Sequence, residues 1–74
     1  MKQEVWNLEP RALKAKYIIV RDYGDGVLWG SGFCSDYYDM TKSCVDYGNS
    51  IHNLPYKKMM IETKDVLPAA DFLL

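Results

Sequence analysis

Cys34, Cys44 and His52 are the residues in this chain whose chemistry suits a nucleophile or a soft metal ligand. A zinc site needs four closely grouped nitrogen, sulfur or oxygen donors. Here the cysteines lie ten apart, without a Cys-x-x-Cys pair and without a second histidine. A Cys–His nucleophile needs a lowered thiol pKa and a third group to orient the base, and the sequence identifies no such group. The two cysteines therefore read as small thiols facing each other across a strand–helix interface. His52 falls in a polar loop. No metal and no cofactor are expected.

The carboxylates read in the same way. Asp22, Asp25, Asp36, Asp39 and Asp46 concentrate in the centre of the chain. Acid–base chemistry on a sugar or ester needs two carboxylates aimed across a cleft, and a domain of this size leaves little room for one. Asp25 belongs to a turn and Asp36 and Asp39 to a helix start, so these residues form an acidic surface rather than a catalytic pair. Gly24-Asp25-Gly26 and Gly30-Ser31-Gly32 resemble phosphate loops only superficially. Neither leads from a strand into a helix at the required spacing. No enzyme activity is expected.

Aromatic residues give the strongest functional signal. Tyr17, Arg21, Trp29 and Phe33 alternate along two β-prone runs, with Tyr23 between them. On one exposed sheet face they would suit a protein interface, where tryptophan, tyrosine and arginine dominate the binding energy. The same face would also stack single-stranded nucleic acid. A third possibility is a second small core, covered by Trp6, Phe72, Leu73 and Leu74.

The elements that must position these residues follow from pattern. Residues 15–23 and 27–34 are rich in β-branched and aromatic types and flank Gly24-Asp25-Gly26, which marks a hairpin. A three-residue turn over 24–26 pairs Arg21 with Trp29, Ile19 with Ser31 and Tyr17 with Phe33. Ile18 and Val20 then share the other face with Gly30, Gly32 and Cys34. A helix is expected near 36–47, capped by Ser35 or Asp36 and ended by Gly48-Asn49. Its apolar stripe is Tyr37, Met40, Cys44 and Tyr47 at helical spacing. The glycines of the second strand would let this stripe lie on Ile18 and Val20.

A third strand is expected near 56–63. Pro10 and Pro68 suit the first positions of short helical turns, and Val5, Trp6 and Leu8 suit an extra strand or an arm. The expected fold is a single α+β domain over residues 1–74. It has a small antiparallel sheet, a β-hairpin plus a third strand in ββαβ order, with one helix on one face.

Composition sets the remaining bounds. Of the 74 residues, 49% are hydrophobic and 14% aromatic, too many for a disordered chain. A chain of this length buries only about 60% of its unfolded surface and gains from a partner or from self-association. The net charge of −1 argues against a general nucleic-acid binder. Residues 1–21 carry +3 and residues 22–50 carry −4. Met1-Lys2-Gln3-Glu4-Val5-Trp6 has no apolar core of a secretory signal, and no run is long enough to span a membrane. The expected product is a cytoplasmic, non-catalytic interaction module for a protein partner or a second copy. Nucleic acid is the alternative ligand.

Overall fold

The computed structural model of the chain describes residues 2–51 and 53–69. Five strands form one mixed sheet: β1 (Gln3–Trp6), β2 (Tyr17–Asp22), β3 (Leu28–Ser35), β4 (Lys57–Glu62) and β5 (Val66–Pro68). Their order across the sheet is β4-β2-β3-β1-β5. A single α-helix among the described residues, α1 (Tyr38–Ile51), connects β3 to β4, and short 3-10 turns occupy Pro10–Lys14 and Thr63–Asp65.

The α+β class matches expectation, but the sheet is larger than expected. β1 joins β3 in parallel, with Val5 opposite Leu28 and Trp6 opposite Trp29, and β5 joins β1 in parallel. The three-stranded antiparallel sheet in ββαβ order is therefore corrected to a five-stranded mixed one. Val5 and Trp6, which suited an extra strand or an arm, lie in strand β1, while Leu8 follows it. With four and three residues, the added strands are too short for a period-two pattern to place them in the sheet. Pro10 opens its 3-10 turn as expected. Pro68 instead ends β5, at the sheet edge, where a missing N–H costs no ladder bond.

The turn chemistry sets the register of the hairpin at its closed end. Gly24 and Gly26 sit at φ of 87° and 84°. Asp22 Oδ1 accepts the Gly24 N–H at 2.8 Å, and Asp25 Oδ1 accepts the Val27 N–H at 3.0 Å. Arg21 then lies opposite Trp29 and Val20 opposite Gly30, as the three-residue turn requires. Farther along, the register shifts: Ile18 faces Cys34, and Tyr17 faces Ser35 rather than Phe33. Gly32, at φ 87°, supplies the kink, and the Ser31 hydroxyl stitches it by donating to the Ile19 carbonyl at 2.7 Å. Two residues of β2 are matched by four of β3, so the alternation of faces survives the shift.

The helix covers the opposite face from the one expected. Ile18 and Val20 pack with Val5, Leu8, Ala12, Ile61 and Val66, under the segment that links β1 to β2. A Cβ on Gly30 would stand 2.7 Å from the Asn7 carbonyl oxygen, so this glycine admits that segment and not the helix. The buried side of α1 is Thr41 and Val45, with Gly48, whereas Tyr37, Met40 and Tyr47 are 68%, 52% and 64% exposed. Small side chains let the helix axis approach the sheet; the bulky stripe at the same period does not.

Both helix ends also differ from expectation. The Tyr37 carbonyl accepts the first helical N–H, from Thr41 at 3.1 Å, and also the Thr41 hydroxyl at 2.8 Å. Ser35 Oγ accepts the Tyr37 N–H and Asp36 Oδ1 accepts the Lys16 N–H, so both organise the connection ahead of the helix. At the other end the helix runs through Gly48 and Asn49 to Ile51. A Cβ on Gly48 would lie 2.9–3.2 Å from the Lys58 side chain. Asn49 meets the Lys58 backbone at two points, Nδ2 donating to its carbonyl at 2.9 Å and Oδ1 accepting its N–H at 3.0 Å.

Candidate binding groove

Cross-strand pairing lines up side chains in rows on the helix-side face. One row runs Trp6, Trp29, Arg21 and Lys58 across β1, β3, β2 and β4. The next holds Ile19 and Met60, and the next Tyr17 and Glu62. The helix lies mainly over β4 and β2. Trp6, Trp29 and Phe33 are left half-buried beside it.

A groove of about 330 Å³ opens between the helix flank and the sheet. Ile19, Arg21, Ser31, Phe33 and Lys58 line it from the sheet, Cys44, Tyr47 and Gly48 from the helix, and Tyr56 from the segment leading into β4. Tyr37 and Met40 continue the helix stripe beyond it. The Arg21 guanidinium carbon stands 5.1 Å from the Tyr56 ring centroid, and Tyr23 packs against the same ring at 5.1 Å. Trp6 and Trp29 lie 6.2 Å apart with rings tilted at 42°.

The four aromatic-face candidates share this face but have different surroundings. Tyr17 meets Tyr38 edge-on at 5.7 Å and is half-buried beneath the start of the helix. Arg21 is held by Tyr56. Trp29 and Phe33 remain along the open part. The acidic candidates are not brought together. Asp22 and Asp25 shape the hairpin turn, Asp36 and Asp39 lie where β3 leads into the helix, and Asp46 pairs with Lys42 at 3.3 Å along the helix.

The cysteines are separated by the sheet, contrary to the expected facing pair. Cys34 packs toward the Ile18 core with its Sγ 3.4 Å from Arg11 Nη1, and Cys44 lines the groove. Both are free and half-buried. His52 and residues 70–74 lie outside the described residues, so the readings placed on them do too. Among the described residues no three His, Cys, Asp or Glu side chains converge as a metal site would require. No helix among them is long and apolar enough to cross a membrane.

Sequence reading missed Tyr56 and Lys58 as groove residues. Lys58 acquires its place only from the register against Arg21. Cys44 and Tyr47 did carry a signal, the helical stripe, but it was assigned to the core. No protein-family model, curated protein or solved structure matches the chain.

Proposed function

We propose that this chain is a non-catalytic protein-interaction module, acting as an adaptor, an inhibitor or a self-associating accessory protein. Its binding surface is the open helix-side face: Trp29 and Phe33, with Arg21 at the groove floor and the stripe Tyr37, Met40 and Tyr47 alongside. One observation carries this reading. The helix turns its bulkiest apolar stripe outward, beside half-buried aromatics of the sheet, and buries its small residues instead. Leaving such a stripe in water forfeits burial worth about 1.5–3 kcal/mol for each large apolar side chain, a loss that a partner recovers. Asp22, Asp25 and Asp36 support the non-catalytic part, because each has an oxygen engaged by backbone N–H groups.

The test pairs Met40→Lys with Tyr47→Asp, both at exposed helix positions. Each variant should keep the wild-type melting temperature to within the effect of a surface change, about 0.5 kcal/mol. Each should also lose the oligomer seen by sedimentation, or the partners captured by wild-type protein. Variants that keep every association would remove the stripe from the binding surface. Titration with a labelled oligothymidylate separates the nucleic-acid alternative, since phosphate contacts make affinity fall steeply with salt.

A further inference from the structure

Arg21 and Lys58 are direct cross-strand partners on the groove side of the sheet. Like charges placed opposite each other on adjacent strands repel. The next pair in the same ladder, Asp22 with Lys57, has opposite signs, so the like pair is a local exception. Among the described residues, Glu9, Asp46 and Glu62 pair with Arg11, Lys42 and Lys64, and neither Arg21 nor Lys58 has a carboxylate partner. The groove that both cations line contains no acidic side chain. Arg21 Nε is buried without an acceptor, a donor whose desolvation is uncompensated. Tyr56 offers the guanidinium its ring face but no lone pair in the plane of its N–H groups.

We infer that Arg21 and Lys58 form a carboxylate-binding pair in this groove, for an acidic side chain of the partner protein carried next to an apolar one. This rests on the interaction reading above and specifies the chemistry of its ligand. A carboxylate between the two cations would relieve their repulsion and supply the opposite charge that the groove lining lacks. The neighbouring apolar group would lie against Ile19, Phe33 and Tyr47. Lys58 is suited to the role because the outer part of its side chain, from Cδ to the ammonium nitrogen, already lies against the helix at Gly48. Less side-chain freedom is then lost when its ammonium group engages a ligand.

The test uses 4-phenylbutyrate as the probe, with its neutral primary amide as control, followed by NMR of the intact protein. The acid should shift the Arg21 and Lys58 resonances and those of Phe33 and Tyr47 saturably. The amide should bind about tenfold more weakly or worse, the effect of losing a charge-assisted hydrogen bond. Lys58→Met, which keeps the stem over Gly48, and Arg21→Gln should each remove that preference for the acid. Equal binding of acid and amide, or an unchanged preference in both variants, overturns the carboxylate site while leaving the apolar groove in place. Absence of any shift at the groove with either compound also overturns it. Inorganic phosphate binding as well as the acid would overturn the paired apolar contact. Failure of the interaction reading itself would appear separately, as unchanged association of the Met40→Lys and Tyr47→Asp variants.

Discussion

The two faces of the sheet are built from neighbouring residues of the same strands, yet they close differently. On one side Val5, Ile18, Val20 and Ile61 meet Leu8 and Ala12 in a sealed core. Medium-sized aliphatic side chains there fit beneath a short connecting segment that comes down to the Gly30 backbone. On the other side the residues are large, aromatic or charged, and the helix rests on part of them through Thr41, Val45 and Gly48. Complementary volume seals the first face. Mismatched volume leaves the second with a groove and with the cations that line it. The first face is wholly apolar where it closes, whereas the second mixes large apolar side chains with Arg21, Lys58 and Glu62, so size and charge together keep it open.

That contrast can be broken most forcefully from the sealed side. Ile18 is 1% exposed, and Ile18→Ala should cost about 2–5 kcal/mol of unfolding free energy in denaturant melts. A smaller loss would mean that the linker side is not the main core. Gly30→Ala adds a Cβ 2.7 Å from a backbone oxygen, and backbone cannot swing away as a side chain can. The expected cost is about 1–3 kcal/mol, with chemical-shift changes centred on Asn7 and Leu8. Changes centred on α1 would place the helix on the other face. Trp29→Ala probes the open side and should cost less, about 1–2 kcal/mol for a half-buried ring paired with Trp6. A loss as large as that of Ile18→Ala would make Trp29 a core residue and remove it from the binding surface.

The sequence displays some of this architecture directly. Gly24-Asp25-Gly26 between two β-prone runs gives the hairpin and the opposition of Arg21 to Trp29, because positive φ at the glycines leaves few registers. Helix α1 is legible from its period and strand β4 as an expected strand near 56–63, and the grouping of Tyr17, Arg21, Trp29 and Phe33 on one face follows from alternation. The side chosen by the helix does not. Tyr37, Met40, Cys44 and Tyr47 announce an apolar stripe, but docking is governed by the size of the residues between them, and hydropathy does not rank Thr41 and Gly48 as core. The parallel strands are hidden for another reason: β1 finds β3 and β5 across long stretches of chain, and three or four residues carry no pattern that names a partner. The like-charged pair Arg21–Lys58 becomes visible only once that long-range register is known.

Asn49 has a consequence beyond fastening the helix. β4 is the last strand on its side of the sheet, and the Lys58 N–H and C=O taken up by Asn49 point away from β2. The carboxamide presents one donor and one acceptor in the places where a further strand would put its peptide group. An open strand margin is a template for adding chains end to end, and proteins that persist at high concentration keep such margins blunted. Here a single side chain from the helix occupies the margin near the start of β4, at Lys58 and beside Lys57. At this position the β4 edge is already taken up by the chain's own helix and offers no free peptide group to a further strand.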